Sequence, residues 1–452
     1  MDFTFSIVQK VENFIQSERM SMSKFANEAG INTGIISSIL NGTRVLSLKQ
    51  LDKITVAMNE PPGSLYDQYT EEYLLKIAPD WRRIRTFILR CTELNRLKEI
   101  GKAINFLSEH LLYSPACFEL AEQLYDRKNI EAAMMLYENV ANNEKKQHSE
   151  RLAICQYRLF MIRQNEDQEE NYQLAIKFEP YVERLDEAEQ LEALKDLSKA
   201  YQAMRRWDKV EQVVRVLKTK ALTHYYSEYK DTTIRWKLPL FVYVLHSYLL
   251  LCGVYEERQD YTQALTYSEK SRDTSWIHES DSVSEEWKRK FERWAEVNSY
   301  VAQIFSGDFS VMNDYKSYAL QNKNEVSLFL LNIIEAANKF CWDIDSVLNE
   351  FDNYIKGLDT HIDNITVYTI QLNQERYTRL LHELAKYNLN RGEIEKGTRH
   401  LLLSLEKAYI LNYKNYIIKN MGLFEKVRVK VNFNLKRTYQ IIIEEVYANE
   451  LV

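Results

Sequence analysis

Glycine and proline are scarce, 11 and 6 among 452 residues. Both interrupt helices, so their shortage favours long helical runs and leaves little glycine for a phosphate-cradling loop. Cysteine is sparse as well. The five thiols, at 91, 117, 155, 252 and 341, form no CxxC pair and are odd in number, which points to a reduced, cytoplasmic chain. Cys341, beside Trp342, reads as a buried small residue rather than a nucleophile. The eight histidines are dispersed, with no HExxH and no pair at metal-ligand spacing. The acidic run Glu166–Glu170 lacks the glycine turn of a calcium loop and reads as a charged linker. Nothing here points to an enzyme, a metal or a cofactor. No stretch approaches the ~18–20 apolar residues of a membrane span. The opening MDFTFSIVQKVENF has neither the basic start nor the continuous apolar core of a signal peptide. The expected location is the cytoplasm, with no membrane partner.

An excess of positive charge is also missing. A net charge of −6 and a pI near 5.9 exclude a nucleic-acid coat along the whole chain, but leave room for a small DNA-binding head. What is present is apolar content of 45%, enough for a packed core, and thirty tyrosines that supply polar-tipped aromatic surface. The length fits two to four domains, or one domain followed by a repeat array.

Residues 22–42 read MSKFANEAGINTGIISSILNG. Phe25 and Ala29 share a helical face, and Gly30 can end that helix in left-handed backbone. Ile31 plugs the corner, Asn32 caps a second helix, and Ile36 and Ile39 face back toward Phe25. Ala26 lies where the helices cross, where a bulkier side chain would part them. The flanks agree. Phe3–Ser17 carries Phe5, Val8, Val11, Phe14 and Ile15 at three-to-four spacing. Ser47–Met58 carries Leu48, Leu51, Ile54 and Met58, and Pro61–Pro62 opens a short helix with Leu65 and Tyr69. Five helices in about 70 residues with this central pair resemble the lambda-repressor-like, or Xre-type, DNA-binding domain; the alternative is a chance helical hairpin. The resemblance implies that Thr33–Leu40 enters the major groove. Thr33, Gly34, Ser37 and Ser38 face outward, and Asn41, Thr43 and Arg44 in the following turn meet phosphates. Residues 1–70 hold six Lys/Arg against seven Asp/Glu, so one head should bind weakly and a homodimer would double its contacts. Residues 71–86 read as a linker helix. Its Trp81-Arg82-Arg83-Ile84-Arg85 either adds positive charge or forms a solvated face.

From there onward the pattern is helical, and several segments match a helical-hairpin repeat of tetratricopeptide type. Ala103 sits on one second helix, with Pro115 closing the unit. Leu120-Ala121, Leu124, Ile130, Ala133 and Tyr137 form another match. Leu197-Ser198, Tyr201, Trp207, Val210 and Val214 form a third, Leu251-Cys252, Tyr255, Asp260-Tyr261 and Ala264 a fourth. Leu384-Ala385, Gly392-Glu393-Ile394 and Gly397 complete the set. Weaker units fall at 152–183, Phe291–Leu320 and Phe329–Tyr354, with irregular chain at Ser271–Glu285. The spacing is uneven, so a generic helical repeat is the alternative. Stacked hairpins offer a concave groove for an extended peptide. Asparagine, whose amide both donates and accepts, suits that task. The candidates are Asn298, Asn332, Asn338 and Asn373, each of which has a capping or solvent-facing alternative. Phe424–Asn449 reads as one amphipathic helix that caps the array or enters a dimer.

The expected fold class is all-α: an N-terminal lambda-repressor-like helix-turn-helix domain (1–70), the linker helix, a tetratricopeptide-like right-handed helical solenoid (87–423) and a C-terminal capping or dimerisation helix (424–452). This combination resembles the peptide-pheromone receptors of Gram-positive bacteria and their phages, the RRNPP family, with a layout like the arbitrium receptors. The resemblance implies quorum sensing: a cytoplasmic homodimer binds a short signalling peptide and changes its hold on a double-stranded DNA operator. The competing readings are a protein-interaction scaffold and a ligand-independent repressor dimerised through its repeats.

Overall fold

The computed structural model describes residues 6–76, 78–108, 110–147, 149–227, 233–357 and 370–449. Every regular element among them is helical, so the fold is all-α. The chain divides into two compact units, Met1–Ile162 and Arg163–Val452.

The first unit opens with α1 (Ile7–Ser17), α2 (Met22–Glu28), α3 (Thr33–Leu40), α4 (Leu48–Ala57) and α5 (Tyr66–Tyr69), which runs into a π turn at Thr70–Leu74. Ser6 with Gln9, and Ser47 with Gln50, form capping boxes that start α1 and α4. The box at Ser6 starts α1 at Ile7 and gives it a buried face of Ile7 and Val11, with Val8 only half-buried; Phe3 and Phe5 lie outside the described residues. Helix α2 ends as its residues predict: Gly30 has φ +56°, and Ile31 N–H donates to the Ala26 carbonyl at 2.9 Å. Phe25 and Ala26 are fully buried, and Ile36, Ile39, Leu51 and Ile54 close the core around them.

This bundle does not stop at residue 70. Helices α6 (Trp81–Glu93), α7 (Leu97–Leu107), α8 (Ser114–Asp126) and α9 (Ile130–Asn143) share its unit, which ends in α10 (Glu150–Arg163). Phe87 packs on Tyr66 and Tyr69 with ring centroids 5.5 and 6.0 Å away. Arg90 binds Asp52 at 3.0 Å, and Lys98 and Lys102 bind Asp67 at 3.2 and 2.5 Å. The span 71–86 is not one helix. The π turn ends at Leu74, Pro79 interrupts the run, and Asp80 caps α6 through the Arg83 N–H at 3.1 Å.

The second unit holds α11 (Gln168–Phe178), α12 (Glu187–Ala203), α13 (Trp207–Tyr225), α14 (Leu240–Glu257), α15 (Tyr261–Arg272), α16 (Ser282–Ser306), α17 (Met312–Gln321), α18 (Val326–Phe340), α19 (Asp345–Glu350), α20 (Asp352–Lys356), α21 (Ile370–Asn390), α22 (Ile394–Ile410), α23 (Lys414–Val427) and α24 (Phe433–Asn449). One turn recurs in both units. Between α6 and α7, α8 and α9, α12 and α13, α14 and α15, α21 and α22, and α22 and α23, three residues link the helices. The middle residue is left-handed in each: Asn95, Lys128, Arg205, Gln259, Gly392 and Asn412. In each turn the third residue's N–H reaches back to a carbonyl five positions earlier, as from Arg206 to Tyr201 at 2.9 Å. These are Schellman closures. The small residues that the repeat pattern puts on its second helices are buried, among them Ala103, Ala133 and Ala264.

Four expectations are corrected. The span 424–449 breaks after Val427, because Val431 turns inward to a core built on Phe424 and Tyr439, and a new helix starts at Phe433. Helix α14 is, by length and composition, apolar enough to cross a membrane; it packs between α13 and α15 with more than half its residues buried. Cys341 is exposed, since it occupies the left-handed position (φ +57°) that ends α18. The acidic run 166–170 is no free linker. Asp167 caps α11 and accepts from the Asn412 amide at 3.1 Å, while Glu166 accepts from Gln374 at 3.0 Å.

A Cβ at Gly397 would lie 2.7 Å from Leu389 Cγ and 3.0 Å from the Ala385 carbonyl, whereas Gly422 has nothing within 4 Å. Gly397→Ala should therefore cost about 1–3 kcal/mol by forcing α21 and α22 apart. Gly422→Ala, in an open helix, should stabilise by about 0.5–1 kcal/mol. Denaturant unfolding of the two variants checks the contrast.

Candidate functional site

Two surfaces carry the residues singled out in the sequence. The first is the outer face of α3. The Asn32 side chain accepts from the Gly34 N–H at 2.8 Å and so starts the helix. Thr33 and Gly34 are exposed, Ser37 and Ser38 half-buried, and Asn41, Thr43 and Arg44 exposed in the turn that follows. Ser38 and Thr43 spend their protons internally, on the carbonyls of Gly34 (2.7 Å) and Ser38 (3.0 Å), so both hydroxyl oxygens remain outward acceptors. Asn41 Nδ2 leans on Ser37 Oγ at 3.4 Å. Lys49 belongs with this group although its sequence position does not draw attention to it. It is exposed in the first turn of α4, where the helix dipole disfavours a cation and favours an anion.

The second surface is a cavity inside the second unit. It exists because the early helices of that unit meet the late ones. Gln168 N–H donates to the Leu411 carbonyl at 2.9 Å, and Gln371 reaches the Asn165 carbonyl at 3.4 Å. One end of the cavity, about 480 Å³, is lined by Leu238, Val242, Trp287, Phe291 and Trp294 together with Lys199 and His246. It continues, past Gln202, Asn298 and Arg376, into a charged end of about 420 Å³. There Arg379 binds Glu335 at 2.8 Å and Glu375 at 3.5 Å, and Arg205 meets Glu375 at 3.6 Å and also Glu257. Burial opposes the Arg379 charge, but Glu375 and Glu335 outweigh it and hold the guanidinium well above its ordinary range. On the same wall, burial pushes the Glu256 carboxyl up to about 7.

The four candidate asparagines separate here. Asn298 lines both ends of the cavity, and Asn332 lines the charged end while donating to Tyr315 Oη at 3.0 Å. Asn338 instead ties α18 to α21, donating to the Glu383 carbonyl and carboxylate at 2.9 and 2.8 Å. Asn373 is buried beside the cavity residue Leu372 and is not among the lining residues. Lys199, Gln202 and Arg376 are lining residues that sequence reasoning missed. A lone polar residue on an amphipathic helix looks like surface until the opposite wall is known. Among the described residues, no group of three or more His, Cys, Asp or Glu side chains is placed to hold a metal ion.

Compared with known proteins, the chain matches no family model, and no curated protein is similar to it.

The charged end joins residues from three helices and the α12–α13 turn around one carboxylate that is 2% exposed, Glu375. Glu375→Gln takes a shared counter-charge from two half-buried guanidinium groups, each of which keeps one other carboxylate, and should cost about 1–3 kcal/mol. Glu395→Gln, which breaks the exposed Glu395–Arg399 pair, should cost under ~0.5 kcal/mol. Thermal unfolding of both variants measures the difference.

Proposed function

We propose that the chain is a DNA-binding transcriptional regulator whose second unit takes a short signalling peptide, and that the occupied cavity alters how a dimer holds its operator. One observation carries the reading. Helices α2 and α3 are joined at left-handed Gly30 with Ala26 buried, and α3 leaves Thr33 and Gly34 exposed and Ser37 and Ser38 half-buried. On this reading the pair is an Xre-type helix-turn-helix with α3 in the major groove.

Local charge supports it. Residues 1–70 are slightly acidic overall, yet residues 22–53 hold four Lys/Arg against two Asp/Glu, and one of those acids, Asp52, is taken up by Arg90. Arg44 and Lys49 then neutralise phosphates. The six helix pairs closed by the same turn, with small residues at their crossings, support tetratricopeptide-like repeats and a right-handed solenoid. Together with the head they make the layout of the peptide-pheromone receptors introduced above. Asn298, facing the cavity, suits recognition of a peptide main chain. Ile418, Val429, Phe433, Ile441 and Tyr447 expose large apolar side chains along α23 and α24 and the turn between them, a surface that a second copy would cover. Regulation then requires that the peptide bind one state of the dimer better than the other.

Genomic fragments selected on the full chain supply the operator. Thr33→Ala combined with Ser37→Ala should weaken operator binding tenfold or more in fluorescence anisotropy, and Arg44→Ala should flatten the plot of log K against log salt by about 0.9. Unchanged affinity in the double variant would remove α3 as the reading element. Phe433→Asp with Tyr447→Asp should sediment as a monomer at concentrations where the unaltered chain is a dimer. A monomeric unaltered chain would end the dimer part of the proposal.

A further inference from the structure

The apolar end of the cavity holds a cation that makes no ion pair among the described residues, although the Glu325 carboxylate lines the same end. Lys199 lines this end, and among the described residues its ammonium has no hydrogen bond or ion pair. Lys195, one turn earlier on α12, is by contrast held by Glu192 at 2.5 Å. His246, on α14 in the same lining, has a buried Nε2 with no hydrogen-bond partner. Burial, then the Lys199 and Lys195 charges, pull His246 down to about 3, so near neutral pH it adds no charge of its own. The carboxylates acting on Lys199, Glu192 and Asp196, lie on its own helix, and Glu192 is already engaged by Lys195 and by Tyr243. Burial, and then Lys195, hold the Lys199 ammonium below the usual lysine range. Lys199 is half-buried, so its ammonium is only partly solvated against the apolar lining, and an anion delivered from outside would pair a charge that the fold leaves without one.

The rest of the lining sets what the anion is attached to. Trp287, Phe291 and Trp294 offer aromatic surface in a space of about 480 Å³, within the ~300–1,000 Å³ of small-ligand pockets. Where this end meets the charged end, the Gln202 and Asn298 amides face the cavity, and neither is engaged by another side chain among the described residues. Lysine, a point charge on a flexible stem, meets a single carboxylate without the two-pronged geometry that arginine imposes.

We infer that this end of the cavity binds a carboxylate attached to a bulky apolar body, with Lys199 Nζ on the carboxylate and the three rings around the apolar part. This rests on the proposed reading of the cavity as a ligand site, and it assigns the site a polarity. A signalling peptide would enter with an unmodified C-terminus and an apolar last residue, its final main-chain amides lying between Gln202 and Asn298. A fatty acid carries the same chemistry from another source.

The test uses the full chain, calorimetry and tryptophan emission, with three probes: acetyl-Leu-Phe with a free carboxylate, the same dipeptide amidated, and decanoate. The acid should bind at least tenfold more tightly than the amide. Lys199→Gln should remove that difference while the free protein keeps or raises its melting temperature. Lys199→Met serves as a second variant should the first fold poorly. Decanoate binding more tightly than the dipeptide acid, with the same dependence on Lys199, would keep the carboxylate site and assign it to a fatty acid. Acid and amide binding alike, no difference between Lys199→Gln and the unaltered chain, or no response to any probe at millimolar concentration would overturn the inference. Operator binding that responds to a longer peptide, amidated or not, would overturn only the carboxylate at Lys199 and leave the regulator reading standing.

Discussion

Six helix pairs of this chain each turn on one residue held in left-handed backbone. At Asn95, Lys128, Arg205, Gln259, Gly392 and Asn412 the chain turns, two N–H groups fold back onto the last carbonyls of the helix, and the next helix starts two residues later. The closure satisfies carbonyls that would otherwise be orphaned at the helix end. Five of the six positions are not glycine, so each of those carries about 1 kcal/mol of backbone strain, offset by the bonds the turn makes. Turns of three residues return each second helix alongside the first, and the buried small residues Ala103, Ala133, Ala264 and Gly397 let the pairs approach. A chain with only 11 glycines can in this way turn back on itself repeatedly.

From that constraint follow both candidate surfaces. In the second unit, stacked pairs bring Gln168 to Leu411 and Asp167 to Asn412, and the space left inside is the cavity. Its two ends differ in kind: rings and an ammonium unpaired among the described residues at one, a network around Glu375 at the other. In the first unit, the bundle that carries α3 is packed onto α6 and α7 through Phe87 and through the Asp52–Arg90 and Asp67–Lys102 pairs. Whatever reorients α3 must therefore move a packed body larger than the bundle itself.

Much of this was legible in local sequence. Gly30, Asn32, Ile36 and Ile39 do what their spacing implies, because a turn, a cap and a buried helical face depend on residues within about four positions of one another. The same holds for the small residues on the second helices of the repeat matches. Expectations failed where distant residues intervened. The pattern across 424–449 looks continuous, yet Val431 is drawn into the core of Phe424 and Tyr439. The run 166–170 looks solvated, yet Gln374 and Asn412 come to meet it. Asn298 and Asn338 are alike in sequence, but Glu383 occupies one and leaves the other facing the cavity.

The sequence by itself determined that this chain is helical, where several of its helices are capped, and which residues form the α2–α3 pair. Each of these is settled by backbone sterics and hydrogen bonds a few residues apart. Only the tertiary structure decided that the first unit extends to Ile162, that the apolar helix Leu240–Glu257 lies largely in a protein core, and that Lys199 is left without a partner among the described residues. These outcomes depend on side chains tens to hundreds of positions apart filling, or failing to fill, one another's hydrogen-bonding and packing needs.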